Sequence, residues 1–218
     1  MSLTPNMSGR TARVGEPLGL RLPWARPRGR RTCVKASKLL PGKVRAGNVT
    51  PMSQRLPLER LTVRPATVAD AQAIGVCLRT CWRQAYRGLL SQEWLAAMDD
   101  AERAQMWHQA LAESTAPNPT VAEIDDRVIG FAAAGTSNDD PPVRDLELYA
   151  LYVLESAYGT GLGQRLFDSA VSIRPCSLWV AEGNARAIAF YRRQGFRPDG
   201  ASKRIVEWEG LAVIRMVR

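Results

Sequence analysis

Across 218 residues there is a single histidine, His108, and there are only four cysteines. A lone histidine removes the usual source of metal ligands and of a nucleophilic triad, because structural zinc sites recruit close Cys/His pairs and a Ser or Cys nucleophile needs a base beside it. Cys77 and Cys81 lie four apart on a predicted helix, Cys33 lies in an N-terminal arm, and Cys176 opens a predicted strand. They read as buried or half-buried thiols of a reducing compartment, not as a disulfide framework, and no metal is expected. Long apolar runs are missing too. None approaches the roughly 18–20 residues of a bilayer span, which excludes one, and no apolar core marks a secretory signal. A cytoplasmic location is expected.

Acidic residues are almost absent from the first quarter of the chain. Residues 1–51 hold eleven Lys/Arg and one acid, Glu16, a charge of +10, whereas residues 52–218 hold nineteen basic and twenty acidic groups and sum to −1. The net +9 therefore belongs to the arm, and nucleic-acid binding by the body is disfavoured. The arm, residues 1–58, is rich in Arg, Pro and Gly without hydrophobic periodicity, so it is expected to be mostly disordered. It could be a basic tail for nucleic acid or acidic lipid, or an organelle transit peptide. Alternatively, Met52 is the true start and the residues before it an unselected extension. The domain proper is expected over 59–218.

From Leu61 the pattern becomes regular. Leu61–Arg64 alternates like a strand. Thr67 and Asp70 form a cap-and-return pair opening a helix to about Tyr86, on which Ile74, Leu78, Cys81, Trp82 and Tyr86 recur at helical spacing. Further helical segments follow at 92–98, capped by Ser91, and at 101–113, preceded by Asp100. Strands are expected at 120–123 and 128–135, a loop over 136–144, and a near-continuously apolar strand at 146–154, covered on both faces. A helix at 161–171, a strand at 176–181, a helix at 184–194 closed by Gly195, and strands at 204–208 and 211–217 complete the order. This is a mixed α/β layer structure, not a regular parallel alternation.

Between a strand and a helix stands Tyr158-Gly-Thr-Gly-Leu-Gly163. Glycines allow close backbone approach and positive φ, and the free N–H groups at a helix start point at an anion, assisted by the helix dipole. A P-loop would end in Gly-Lys-Ser/Thr, which Gly163-Gln164-Arg165 does not supply. A dinucleotide fold would place such a triplet after the first strand of a repeated βαβ unit, and this one comes late.

A second motif, Leu178-Trp-Val-Ala-Glu-Gly-Asn-Ala-Arg-Ala-Ile-Ala-Phe-Tyr-Arg-Arg-Gln-Gly-Phe196, resembles the second signature block of the GNAT acetyltransferase superfamily. The glycine turn resembles that family's first block, Gln/Arg-x-x-Gly-x-Gly/Ala, in the right order. The resemblance spans about 61–218. It implies a GNAT-like fold: a central, mostly antiparallel sheet with one parallel strand pair that splays apart, and helices on both faces. It also implies acetyl-CoA as co-substrate. By position, Gly159, Thr160, Gly161, Leu162, Gly163 and Gln164 would hold the pyrophosphate. Leu151, Tyr152, Val153, Asn184 and Ala187 would line the pantetheine arm, and Tyr191 would face the thioester sulfur. Tyr158 departs from the pattern, standing where the family has Gln or Arg; Arg165 is one substitute.

Acyl transfer to an amine needs a base for the nucleophile and an acid for the departing thiolate. Glu147, eleven places before Tyr158, matches the base glutamate of histone-modifying members; the alternative is a strand carboxylate that merely accepts an N–H. Asp145 and Glu182 are weaker candidates. Tyr191 is the candidate acid, since a phenol with a pKa near ~10 can protonate a leaving thiolate. Trp82, Tyr86, Trp94 and the loop 137–144 are candidate walls of the acceptor site, although an aromatic pair at i, i+4 such as Trp82 and Tyr86 is more often core. Asp139, Asp140 and Asp145 could draw a cationic amine. The function expected is N-acetylation of a primary amine, small molecule or peptide, by direct attack in a ternary complex; the alternative is a non-catalytic acyl-CoA-binding module. A homodimer is compatible with the sequence.

Overall fold

The computed structural model describes residues 57–113 and 119–218. The N-terminal arm up to residue 56, with Cys33 and Met52, lies outside the described residues. The elements are β1 (Thr62–Pro65), α1 (Ala71–Ala85), α2 (Gln92–Ala96), α3 (Asp100–Ala112), β2 (Thr120–Ile124), β3 (Arg127–Thr136), β4 (Leu146–Val153), α4 (Leu162–Ala170), β5 (Ser177–Ala181), α5 (Ala185–Arg193), β6 (Arg197–Ile205) and β7 (Leu211–Val217). The strands form one sheet in the order β1-β2-β3-β4-β5-β7-β6, antiparallel everywhere except at β4–β5.

Helices cover both faces. Phe131 of β3 packs edge-on against Trp107 of α3, ring centroids 5.3 Å apart. A side chain at the neighbouring Gly130 would strike Leu166 of α4. Adjacent strand residues point to opposite faces, so α1 and α3 lie on one side and α4 on the other. On α1 the stripe Ile74, Leu78, Cys81 and Trp82 is buried, as its helical spacing requires. Each such burial is worth about 1.5–3 kcal/mol. Cys77, Cys81 and Cys176 are free, buried thiols. Among the described residues no helix is long and apolar enough to cross a membrane.

Two details differ from the sequence reading. The cap of α3 is Asp99, whose carboxylate accepts the Ala101 N–H at 2.7 Å; Asp100 instead pairs with Arg79 across α1–α3. The sixth strand begins at Arg197, seven residues before the position expected, and Val206–Trp208 is a 3-10 turn. Its first half, Arg-Pro-Asp-Gly-Ala-Ser, lies at the sheet edge, largely exposed, with a register irregularity between Pro198 and Ser202. An edge strand wet on both sides carries no apolar alternation, and proline and glycine are tolerated there.

The start of α1 is tied to the sheet by a charged knot. Arg64 of β1 reaches Asp70 at 2.8 Å with two nitrogens and Glu123 of β2 at 2.7 and 2.9 Å, while the N–H and hydroxyl of Thr67 also donate to Asp70. Bonding to Arg64 lowers the Asp70 pKa from 3.8 to about 2. Its folded value lies below its unfolded one, so ionised Asp70 stabilises the fold above about pH 4, and that contribution drains away as pH falls toward 2. Asp70→Asn should therefore lower the unfolding free energy by about 1–2 kcal/mol at pH 7, with the gap to wild type narrowing below pH 4. Urea titrations at pH 7 and pH 3 measure both; an equal gap at the two pH values would refute the assignment.

Candidate active site

β4 and β5 run side by side for only two rungs, Glu147 opposite Ser177 and Leu148 opposite Leu178. Beyond them β4 continues through Leu151, Tyr152 and Val153 and β5 through Trp179 to Ala181, with no pairing between them. On its other edge β5 stays paired with β7. The result is a wedge in the middle of the sheet, lined by main-chain N–H and C=O groups that lack a strand partner. Such groups need hydrogen bonds from something else. The β3–β4 register slips between Ala133 and Ala134, which pair with Ala150 and Leu148 and leave Tyr149 unopposed. The slip brings Glu147, Ala150 and Tyr152, partners of Gly135, Ala133 and Phe131, onto one face.

At the mouth of the wedge lies the glycine turn. Gly159 and Gly161 have φ of 76° and 85°, and Gly161 is the residue from which α4 starts. A Cβ at either would meet nothing within 4 Å, so the space above the turn is open. The hydroxyl of Thr160 donates to the Ala157 carbonyl at 2.7 Å, bracing the turn. The first N–H groups of α4, from Leu162 to Gln164, are those a helix cannot satisfy internally, and with the dipole behind them they suit an anion; the Leu162 N–H makes only a long 3.4 Å contact to Thr160 Oγ1. The Gln164 side chain is engaged by Asp168 and Gln194 and leaves only its main chain to a ligand. Opposite, Asn184 caps α5, its Oδ1 accepting the Ala187 N–H at 3.1 Å. What Asn184 retains for a ligand is its amide N–H2.

Tyr158, where a Gln or Arg was expected, carries an arginine on its face: the Arg186 guanidinium carbon lies 3.4 Å from the ring centroid. Arg186 sits in the first turn of α5, the end of a helix that disfavours a cation, and it forms no ion pair among the described residues. Sequence reasoning pointed to Arg165, which is exposed on α4. The missed signal was the aromatic at 158, a platform for a guanidinium arriving from another helix.

At the inner end of the wedge Glu147 is buried, 7% exposed. One of its oxygens accepts the Asn138 N–H at 2.8 Å and the Ser137 hydroxyl at 3.2 Å. Burial, the larger effect, raises its pKa above the usual carboxylate value. Of the two sequence readings, the hydrogen bonds match the strand carboxylate that accepts an N–H, and they tie Glu147 to the β3–β4 loop. Asp145 and Glu182 are exposed. Asp139 is occupied, accepting Trp179 Nε1 at 3.2 Å and Arg215 at 2.9 Å.

Three phenols converge here. Burial raises the pKa of Tyr191, with further contributions from Tyr86 and Cys176. It raises that of Tyr152 well above 10, reinforced by Tyr86 and Tyr191, and that of Tyr86 likewise. All three stay protonated at neutral pH. Trp82 and Tyr86 belong to the buried core, 3% and 8% exposed. The Trp82 ring lies 4.7 Å from Tyr86, 5.4 Å from Trp94 and 4.8 Å from Trp208. Both therefore belong to the packing, and both lie against the Tyr152 hydroxyl.

The two left-handed glycines separate conformational from steric cost. Gly161→Ala should destabilise the fold by about 1–2 kcal/mol, the penalty of a side chain at that φ. At Gly163, inside the helix, a Cβ would make an ordinary 3.6 Å contact with Phe190. Gly163→Ala should be neutral or stabilising by up to about 1 kcal/mol through helix propensity. Thermal melts of both variants check the sign; equal losses would mean that α4 does not begin where the structure has it.

The chain matches the family model described as the acetyltransferase (GNAT) family over residues 79–196. It is 26% identical to the Mycobacterium tuberculosis protein named Probable N-acetyltransferase Rv2775, over 72% of this chain and 89% of that one. The Bacillus subtilis protein named Uncharacterized N-acetyltransferase YuaI is also 26% identical, over 69% and 87%. Among solved structures, the PaiA N-acetyltransferase of Thermoplasma acidophilum in complex with coenzyme A superposes with a TM-score of 0.58 at 19% identity, covering 71% of this chain and 97% of that one. YncA of Salmonella typhimurium, solved with acetyl-CoA, gives 0.53 at 20% identity, covering 72% and 92%. The wedge between β4 and β5, the glycine turn at its mouth and this match together identify the chain as a member of the GNAT acetyltransferase family.

Proposed function

We propose that the protein transfers an acetyl group from acetyl-CoA to a primary amine by direct attack within a ternary complex. The observation that carries this reading is the wedge between β4 and β5, with an anion cradle at one end and a buried carboxylate at the other. The N–H groups of Gly159 to Gln164 suit a pyrophosphate, and the open edges of Leu151, Tyr152 and Val153 suit the amides of a pantetheine arm. Asn184 offers its amide N–H2 to the same arm, and Ala187 lies one turn further along α5 beside it. The complexes of PaiA with coenzyme A and of YncA with acetyl-CoA support the choice of ligand. Bound acetyl-CoA supplies an activated acyl group.

The chain's own residues do the rest. Glu147, desolvated and above its ordinary pKa, takes the proton from the acceptor ammonium, directly or through water. Tyr191, protonated at neutral pH, gives a proton to the departing thiolate. Tyr86 forms the wall beside these groups, backed by Trp82. Arg186, stacked on Tyr158, supplies the cation for the phosphates that the turn itself lacks. Residues 59–218 constitute the acetyltransferase unit in this reading. The acceptor is a small-molecule or peptide amine.

A coenzyme-release assay across an amine library tests the whole. With a responsive amine, Glu147→Gln and Tyr191→Phe should each lower kcat by about a hundredfold. kcat/KM should rise with pH through the elevated pKa of Glu147, and Glu147→Gln should abolish that acidic limb. Binding of coenzyme A with no transfer to any amine would favour the non-catalytic module. Arg186→Ala should raise KM for acetyl-CoA about tenfold with little change in kcat, the cost of one charge-assisted contact; an unchanged KM would remove Arg186 from the cradle.

A further inference from the structure

Residues 52–218 contain eighteen arginines and one lysine, Lys203. Arginine cannot accept an acyl group at neutral pH, because its guanidinium stays protonated and has no free lone pair. Lys203 is therefore the one side-chain primary amine of this region. Lys203 stands on β6, and its Nζ lies 3.7 Å from the centroid of the Trp179 ring. Trp179 is two residues beyond Ser177, the partner of Glu147, and so lies on the Glu147 face where the wedge opens.

The surroundings fix the ring and leave the amine free. Trp179 Nε1 donates to Asp139 at 3.2 Å. Arg215, the cross-strand partner of Trp179, holds Asp139 at 2.9 Å and Asp199 at 2.7 Å, so both acids are already paired. Lys203 has no ion pair among the described residues, and its positive charge favours the ionised form of Glu147. A primary ammonium thus rests on an aromatic seat, on the face of the sheet that carries Glu147.

We propose that Lys203 is an internal acyl acceptor: when no external amine is present, its ε-nitrogen takes the acetyl group held at the wedge, within the same molecule. The inference rests on the acyl-transfer reading above. The ammonium gives one proton to Glu147. The freed lone pair forms a bond to the acyl carbon, and the bond from that carbon to sulfur breaks. The second proton lost from nitrogen passes to the sulfur by way of Tyr191. One acetyl-CoA and one lysine ammonium yield acetyl-lysine, coenzyme A and one proton, which leaves Glu147 for solvent. No oxidant or further reactant enters. Acetylation removes the charge that holds Nζ on the ring. Trp179 is then open to the ammonium of an incoming acceptor, so the modification unlocks the acceptor seat.

The test is incubation of the full chain with acetyl-CoA labelled in the acetyl group, without added amine, followed by peptide mapping. Lys35, Lys38 and Lys43 report uncatalysed acetylation in the same sample. Label should accumulate at Lys203 toward completion and well ahead of those three, at a rate per chain independent of protein concentration. Glu147→Gln should slow it about a hundredfold, and Lys203→Arg should abolish it while the thermal midpoint and calorimetric binding of coenzyme A stay unchanged. Even labelling of all four lysines, equal labelling in Glu147→Gln, or a per-chain rate proportional to protein concentration overturns the proposal. If added amines release thiol yet Lys203 remains bare, the proposal fails and the acyl-transfer reading stands. If no coenzyme A binds and no thiol is released, both fail.

Discussion

Everything at the centre of this protein follows from two strands that begin as partners and then part. A parallel pair of two rungs cannot satisfy the main chain of β4 and β5 beyond Leu148 and Leu178. The fold offsets this elsewhere: β4 keeps its ladder with β3 from Leu146 to Val153 apart from the slip at Tyr149, and β5 keeps its ladder with β7. With both strands anchored on their outer edges, the inner edges can remain open without the sheet collapsing. The slip at Tyr149 belongs to the same arrangement. It shifts the side-chain alternation of β4 so that Glu147 and Tyr152 face the same way, on opposite sides of the point of divergence.

At each end of this opening an aromatic ring carries a cation. Tyr158 holds Arg186 near the glycine turn, and Trp179 holds Lys203 near Glu147. Among the described residues, neither cation forms an ion pair with an acidic side chain. A cation on a ring is weakly held compared with one in a buried ion pair, about 0.5–2 kcal/mol, so either can be recruited by a ligand that offers a better partner. The two differ in chemistry. The guanidinium is a planar donor suited to phosphate oxygens, while the ammonium, once deprotonated, is a nucleophile.

Much of this was legible in the sequence, because the features concerned are local. The glycine turn needs φ near 80° at two positions and declares itself by residue type, and the caps at Thr67, Ser91 and Asn184 use short polar side chains at helix starts. The strands of the core were legible because they are buried. What escaped had no local signature. The exposed half of β6 lacks an apolar face, and Asp99 and Asp100 are adjacent residues whose roles are decided by Arg79, twenty residues away in sequence. Arg186 over Tyr158 and Lys203 over Trp179 are contacts between separate elements, set only when the sheet is assembled. Trp82 and Tyr86 share one helical stripe, and only the packing of Trp94 and Trp208 distinguishes their settings.

The turn between β6 and β7 reaches across to the α1–α2 connection. Trp208 packs on Trp82, Trp94 Nε1 donates to the Glu207 carbonyl at 3.1 Å, and the Ser91 N–H and hydroxyl donate to Glu209 at 2.7 and 2.6 Å. This strap belongs to neither the glycine turn nor the strand pair, and it backs the Trp82–Tyr86 end of α1. In the proposed reading, the grip on the donor and the frame of the acceptor are thereby built from separate stretches of chain. On that reading, changes confined to residues 87–94 and 205–210 would alter what is acylated without touching the turn that holds the acyl carrier.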